Sequence, residues 1–161
     1  MDVNSEPSGN KTCCLLLNWN GWSHTVTCLE SLLALEPSPE TIVVCDNHST
    51  DDSRKRILDW ASSHFDPFER IVLEPESRKT QRIEQSLPRF VFIQSTANLG
   101  FAGGNNLGIL WALAQKTYDF LWVLNNDTKV EGRTLDALLE AAAKSPEVGI
   151  WGSTVCWMHD A

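Results

Sequence analysis

A chain of 161 residues is long enough for one domain with a substantial core and too short for two such domains. Apolar residues make up 42% of it, which excludes a disordered chain, and the net charge of −8 argues against a nucleic-acid-binding surface, which would need a basic stripe. No apolar stretch approaches the roughly 20 residues of a membrane-spanning helix, so any membrane association would be peripheral or would come from sequence outside this chain.

The N-terminal part of the sequence alternates apolar runs with amphipathic segments. Residues 1–12 are polar and lack the apolar segment of a signal peptide, so we predict a flexible tail followed by one domain over residues 13–161. The continuous apolar run CCLLL at residues 13–17 is typical of a strand in a parallel sheet that is covered on both faces. Apolar residues at helical spacing then predict a helix that Ser23 would cap and that ends before Pro37.

The next segment repeats this pattern of a strand followed by a helix. Residues 41–45 (TIVVC) predict a second strand. A helix would follow, capped by Ser49 or Thr50, with Asp51 and Asp52 in its first turn, where the helix dipole favours carboxylates.

The rest of the chain continues the alternation after a less regular segment over residues 64–89. Because strands and helices alternate almost throughout, the sequence predicts an α/β fold with a mainly parallel sheet flanked by helices. The predicted features are a short strand at 71–73, a charged surface loop at 74–88, a strand at 90–93, a glycine-rich loop at 98–106 leading into a helix, a strand at 120–124 and a helix at about 134–144.

Five cysteines are present, without a CxxC pair and without the spacing of a zinc site. Three of them lie in apolar, strand-like runs. We therefore predict reduced and mostly buried thiols in a cytoplasmic protein. The cysteines are Cys13, Cys14, Cys28, Cys45 and Cys156.

Polar clusters follow three of the predicted strands, at the point where each strand ends. They are residues 18–21 (NWNG), 46–47 (DN) and 125–128 (NNDT), and the glycine-rich loop at 98–106 follows a fourth strand. Because the carboxyl ends of parallel strands meet at one edge of a sheet, we expect these clusters to lie together and to form a ligand site.

The residue types in these clusters limit the ligand. Asp127 can coordinate a hard divalent cation, and Asn125 can add a carbonyl oxygen or order a water. One carboxylate makes a weak site, which a pyrophosphate would complete. The alternative for Asp127 is a turn or helix cap. Asp46 can accept hydrogen bonds from a base or a ribose, or cap the following helix.

Glycines and an aromatic residue in the same clusters also have two interpretations. Gly100, Gly103 and Gly104 would allow a ligand to approach the backbone closely, or would allow tight packing of a helix on the sheet. Trp19 would stack on a nucleobase or lie in the core. The glycines do not form GxGxxG, and GxxxxGK[ST] is absent, so neither the dinucleotide fingerprint nor the P-loop applies.

Five segments together resemble the nucleotide-sugar-binding half of the family 2 glycosyltransferases, which have the GT-A fold. The resemblance runs from about residue 13 to residue 157, and NNDT resembles the branch that contains rhamnosyltransferases. It implies a nucleotide-diphosphate sugar as donor, with dTDP-rhamnose or a UDP-sugar as candidates. The segments are LLLNWNGWSHTVTCLESLLAL, TIVVCDNHSTDDS, TANLGFAGGNNLGI, FLWVLNNDTKV and VGIWGSTVCW.

The resemblance also implies a role for each matching residue. The segment around Trp19 would line the base pocket, Asp46 would hydrogen-bond the base, and the 98–105 segment would lie under the ribose and the sugar phosphate. Residues 125–127 would occupy the DXD position, with Mn²⁺ or Mg²⁺ as cofactor and Asp127 as its main ligand. The implied substrate-binding residues are Asn18, Trp19, Asn20, Asp46, Asn98, Gly100, Gly103, Asn105 and Asn126, and the implied metal ligands are Asp127 and Asn125.

This sequence departs from the family pattern in three ways. Asn125 replaces the first carboxylate of DXD, and His48 replaces a residue that is usually small. The chain also ends before the acceptor-binding half, so the general base of an inverting transfer would lie beyond residue 161 and the chain would be a donor-binding fragment.

The resemblance implies a glycan or lipid-linked acceptor, and it allows peripheral association with the inner face of a membrane. An apolar face left exposed by the absent half would favour a homodimer. The competing hypotheses are a non-catalytic nucleotide-binding module and a Rossmann-type oxidoreductase, although the latter lacks its glycine fingerprint.

Overall fold

The computed structural model describes residues 10–73 and 86–156. Strands and helices alternate in this part of the chain, except where two strands follow each other. The elements are β1 (Thr12–Asn18), α1 (Trp22–Leu33), β2 (Thr41–Asp46), α2 (Ser53–His64), β3 (Glu69–Leu73), β4 (Phe90–Ser95), α3 (Gly100–Gln115), β5 (Phe120–Asn125) and α4 (Thr134–Lys144).

The described strands form one sheet in the order β3-β4-β2-β1-β5, and every neighbouring pair is parallel. The predicted α/β fold with a parallel sheet flanked by helices is therefore confirmed. The chain steps outward from β1 through β2 and then returns to place β5 on the other side of β1. Strand order thus reverses at β1, and ligands of open α/β sheets bind at such a reversal.

Side chains of each central strand alternate between two separate cores, because successive residues of a strand point to opposite faces. One core lies under α1 and α2, and the other lies under α3. The first core contains Cys14, Leu16, Ile42 and Val44 of β1 and β2, and the second contains Cys13, Leu15, Val43 and Cys45.

Two predicted helix caps are wrong. Helix α1 begins after Gly21, which occupies the cap position, so Ser23 lies inside the helix instead of capping it. Helix α2 begins after Asp52, beyond the predicted caps Ser49 and Thr50. The side chain of Ser49 instead donates a hydrogen bond to Asp46, at 2.5 Å between the two oxygens. Asp51 and Asp52 consequently precede the helix instead of forming its first turn.

The glycine-rich segment begins a helix, which the sequence analysis placed later. Helix α3 begins at Gly100, which has a φ of +68° and faces open space. A Cβ atom at Gly103 would lie 2.6 Å from Cβ of Leu99, and one at Gly104 would lie 2.4 Å from Cδ1 of Leu17. These two glycines therefore allow the first turns of α3 to pack closely on their surroundings.

The less regular segment contains a strand, β3, that is longer than the predicted one at 71–73. Most of the predicted loop at 74–88 and of the N-terminal tail lies outside the described residues. Within residues 10–73 and 86–156, no helix combines the length and hydropathy that crossing a bilayer requires.

The cysteines carry free thiols, as predicted, and all except Cys156 are buried. Burial away from water raises the pKa of Cys28 and of Cys45 to about 12, from an ordinary value of 9.0. Burial also raises the pKa of Cys13 and Cys14. The folded protein therefore holds these thiol protons more tightly than the unfolded chain does.

We expect one of the five thiols to react rapidly with DTNB at pH 8, and all five to react in urea.

The buried thiols also make the unfolding free energy depend on pH. Their contribution is fully present below pH 9 and is lost as the pH rises from 9 towards 12, because the thiols of the unfolded chain ionise first. Each buried thiol then removes about 1.4 kcal/mol of unfolding free energy per pH unit. Urea unfolding between pH 7 and pH 11 measures this loss, and a flat profile or several rapidly reacting thiols would contradict the burial.

Candidate functional site

The polar strand ends meet at one edge of the sheet, as the sequence predicted. Asn18 at the end of β1 lies opposite Asp46 at the end of β2. On the other side of β1, Leu17 lies opposite Asn125 of β5. The strands that carry these residues are adjacent and parallel, so their polar ends converge where the strand order reverses.

A cleft of about 490 Å³ opens at this edge of the sheet. Its size falls within the range of small-molecule sites, which is roughly 300–1,000 Å³. The ends of β1 and β5, the residue after β2 and the N-terminus of α3 all contribute to it. The lining residues are Leu17, Trp19, Asn47, Asn98, Gly100, Phe101, Asn125, Asn126 and Asp127.

Asn47 lines the cleft, whereas Asp46 does not. By the alternation of side chains, Asp46 lies on the same face of the sheet as Ile42 and Val44, which face α1 and α2. Asn47 lies on the same face as Val43 and Cys45, which face α3. The hydrogen bond that Asp46 would accept from a base stays a prediction, and the neighbouring Asn47 is the residue that lines the cleft.

Asp46 is 1% exposed, and its carboxylate accepts three hydrogen bonds within the protein. Its Oδ1 atom accepts from Nδ2 of Asn18 at 2.8 Å and from Oγ of Ser49 at 2.5 Å, and its Oδ2 atom accepts from the Ser49 backbone N–H at 3.2 Å. The carboxylate therefore joins the end of β1 to the loop that follows β2.

Asn47 organises the segment that precedes α3. Its Nδ2 atom donates to Oδ1 of Asn98 at 3.0 Å and to the Gly100 carbonyl at 3.1 Å. Its Oδ1 atom accepts from the backbone N–H of Leu99 at 2.9 Å. Asn47 thus ties the end of β2 to the start of α3, and places the positive end of the α3 dipole at the cleft.

Asn125 and Asp127 lie together in the turn after β5, and both line the cleft. The turn is closed by the Thr128 N–H, which donates to the Asn125 carbonyl at 3.2 Å. Among the described residues, no group of three or more His, Cys, Asp or Glu side chains could hold a metal ion. One exposed carboxylate beside an amide fits a cation that takes its other oxygens from water or from a phosphorylated ligand.

Two aromatic side chains stand at the cleft with much of their surface in solvent. Trp19 is 57% exposed and Phe101 is 65% exposed, so neither belongs to a core. They come from different elements, the loop after β1 and the first turn of α3. Exposed rings that line a cleft can stack on a planar or apolar ring of a ligand.

The remaining predicted residues lie near the cleft without lining it. The Oδ1 atom of Asn20 accepts hydrogen bonds from the backbone N–H groups of Thr50 and Asp51, so Asn20 ties two loops together. Asn105 is buried within α3 and donates to the Phe101 carbonyl at 2.9 Å. Asn18 is fully buried, and Gly103 packs against its own segment. Their direct roles in ligand binding stay predictions.

Sequence reasoning placed Asn47 and Phe101 in the expected ligand site without giving either an individual role, and it missed Thr25. Alternate residues of a strand face opposite sides of the sheet, so Asn47 could have been assigned to the cleft once the face under α3 was known to border it. Phe101 was assigned to a loop in which the aromatic ring had no assigned function. Thr25 resembled an ordinary polar position of an amphipathic helix, although it is fully buried.

Comparison with solved structures finds a similar fold in the crystal structure of residues 1–349 of TarS from S. aureus, a family 2 glycosyltransferase. The TM-score is 0.50 at 19% sequence identity, and the match covers 85% of this chain. The fold is of the GT-A type. The matched region spans 32% of that TarS chain, so the chain corresponds to about a third of this neighbour.

Similarity at this level of identity establishes the fold and does not distinguish the predicted rhamnosyltransferase branch from others. A comparison with models of protein families finds no match, and a comparison with curated proteins finds none either.

Proposed function

We propose that the cleft binds a nucleotide-diphosphate sugar as the donor of a glycosyl transfer. The observation that carries this proposal is the meeting of Trp19, Asn47 and Asp127 in one cleft where the strand order of a GT-A-type sheet reverses. Trp19 offers a ring for the nucleobase, and the N-terminus of α3 offers a positive dipole end for phosphate. Asn47 holds that N-terminus at the cleft through its hydrogen bonds to Asn98, Leu99 and Gly100.

The charges of the cleft support a divalent cation as cofactor. Asp127 is the one ionisable side chain among the lining residues, so the described lining contains no lysine or arginine to offset a diphosphate. We propose that Asp127 and Asn125 hold Mn²⁺ or Mg²⁺. When bound, the cation would stabilise the charge that develops on the departing nucleoside diphosphate.

Nucleotide binding without transfer is the second candidate function. The observation that favours it is the absence of a second carboxylate or a histidine from the described lining, where a general base would be needed. A transfer assay with radiolabelled donor, using glycan and lipid-linked acceptors, distinguishes the two candidates, since a binding module gives no labelled product.

Dimerisation and peripheral membrane association stay predictions.

We expect UDP or dTDP, and their sugars including dTDP-rhamnose, to raise the melting temperature when Mn²⁺ is present. A ligand at 100 times its Kd adds about 2.7 kcal/mol, which corresponds to about 5–10 °C for a domain of this size. Differential scanning fluorimetry measures the shift, with Mn²⁺ alone and nucleotide with EDTA as controls. Stabilisation by NAD that ignores Mn²⁺ would support an oxidoreductase instead, and no shift with any nucleotide would contradict the proposal.

A further inference from the structure

We infer that Thr25, a buried residue of α1, is a positioning residue for the turn at 125–127 and thereby for the carboxylate of Asp127. This inference rests on the function proposed for the cleft. Thr25 does not line the cleft, so any influence on a ligand must pass through another residue. That residue is Asn126, which lines the cleft and contacts Thr25.

A continuous series of hydrogen bonds connects the turn to the buried end of β2. Nδ2 of Asn126 donates to Oγ1 of Thr25 at 3.0 Å, and Oγ1 of Thr25 donates to Oδ1 of Asn18 at 2.8 Å. Nδ2 of Asn18 in turn donates to Oδ1 of Asp46 at 2.8 Å. Because the Asp46 carboxylate can only accept, the Asn18 amide donates to it and turns its Oδ1 atom towards Thr25. The Thr25 hydroxyl is closer to that oxygen, at 2.8 Å, than to its other acceptor, the Gly21 carbonyl at 3.2 Å, so we infer that the series runs towards Asp46.

Thr25 is the necessary link in this series. It is fully buried between two amide side chains, and its hydroxyl both accepts from one and donates to the other. A methyl group in its place would leave the buried Asn18 Oδ1 atom without this donor. It would also leave the Asn126 amide without this acceptor, and free to rotate away.

A second contact with α1 holds the chain beyond the turn. The backbone N–H of Val130 donates to Oγ of Ser31 at 3.0 Å, and Ser31 in turn donates to the Cys28 carbonyl at 2.7 Å. Helix α1 therefore contacts the chain both before Asp127, at Asn126, and after it, at Val130. The Asn126–Thr25 contact is the attachment on the side of the cleft.

The close approach of Asn126 to the backbone before α1 supports the same conclusion. A Cβ atom at Gly21 would lie 3.2 Å from Nδ2 of Asn126. The φ angle of Gly21 is −143°, outside the left-handed region that favours glycine. We expect Gly21→Ala to shift the Asn126 amide by a few tenths of an ångström without removing any member of the hydrogen-bonded series.

The test compares Thr25→Val with Thr25→Ser and with Thr27→Val, an exposed threonine of the same helix. UDP affinity is measured by calorimetry with Mn²⁺ and with EDTA. We expect Thr25→Val to bind UDP about 10-fold more weakly than wild type in the presence of Mn²⁺, and equally well in EDTA. Thr25→Ser, which keeps the hydroxyl, should recover most of the lost affinity. Thr27→Val should behave as wild type.

Hydrogen exchange provides a readout that needs no ligand. We expect the amides of residues 125–130 to exchange faster in Thr25→Val and in Gly21→Ala than in wild type. If Thr25→Val fails to fold, Gly21→Ala carries both measurements, with a smaller expected loss of Mn²⁺-dependent affinity, because the amide shifts by only a few tenths of an ångström.

Two outcomes separate this inference from the proposed function. Wild-type protein that binds neither UDP nor dTDP in the presence of Mn²⁺ would refute the proposed function, while faster exchange at residues 125–130 in the variants would still support positioning by Thr25. Wild-type protein that binds UDP with Mn²⁺, together with variants whose Mn²⁺ dependence and exchange are unchanged, would refute the inference. A loss of stability alone, with an unchanged ratio of the two affinities, would also refute it.

Discussion

Asp127→Ala is expected to lower the affinity for UDP in the presence of Mn²⁺ by about 100-fold, which corresponds to about 2.7 kcal/mol. The reason is that Asp127 is the single carboxylate among the residues that line the cleft, so no neighbouring acid in that lining can replace it. Asp127 is exposed, so the variant should keep the unfolding free energy of wild type within about 0.5 kcal/mol. Isothermal titration with UDP, with and without Mn²⁺, measures the effect.

Two further variants make this experiment specific. Asp127→Asn keeps the size of the side chain and removes its charge, so it should lose nearly as much affinity as alanine does. Asp59→Ala removes an exposed carboxylate of α2 that pairs with Lys55, and it should bind as wild type. An Asp127→Ala protein that retains the full Mn²⁺ dependence would exclude the cation site from this turn.

Asp46→Ala is expected to destabilise the fold by about 3 kcal/mol, because three donors would lose a charged acceptor in a buried position. For a domain of this size the melting temperature should fall by about 6–12 °C. Asp46→Asn should lie between alanine and wild type, since its amide oxygen can still accept hydrogen bonds. Thermal and urea unfolding measure the loss.

Asp52→Ala is the matched control for this second prediction. Asp52 is exposed, and its side chain makes no capping hydrogen bond to α2. Its removal should change the unfolding free energy by no more than about 1 kcal/mol, which is the size of a carboxylate's interaction with the helix dipole. An Asp46→Ala protein with wild-type stability and without UDP binding would show that this carboxylate acts on the ligand and not on the fold.

The sheet could be predicted because its signals are local. The apolar runs at 13–17 and 41–45 are unbroken, as the strands of a sheet covered on both faces must be, and each run ends in polar residues. Parallel pairing then brings those ends to one edge without further information. The convergence of the polar clusters followed from these two facts alone.

The choice between Asp46 and Asn47 could not be made from the sequence. The two residues point to opposite faces of the sheet, and of the two Asn47 lines the cleft. Which helix covers which face depends on the path of the whole chain, and neighbouring residues contain no signal for it. A carboxylate was therefore chosen for its chemistry, and the structure shows it buried in a hydrogen-bonded network.

The start of α3 was mistaken for a loop because glycine is a poor helix former. Tertiary packing outweighs that propensity here, since Gly104 and Gly108 each leave no room for a Cβ atom where α3 approaches the sheet. Thr25 was overlooked for a related reason. A threonine among polar helix residues suggests a solvated face, and only the fold shows that it lies between Asn18 and Asn126.

The alternation of side chains at the end of β1 places Leu17 and Trp19 in the wall of the cleft, and Asn18 between them in a buried hydrogen-bonded network. Trp19 and Asn125 are exposed, so substitutions there should change the wall of the cleft at little cost in stability. A designed library can therefore vary these two exposed positions in a search for new ligands, while the buried Asn18 and Asp46 are kept unchanged.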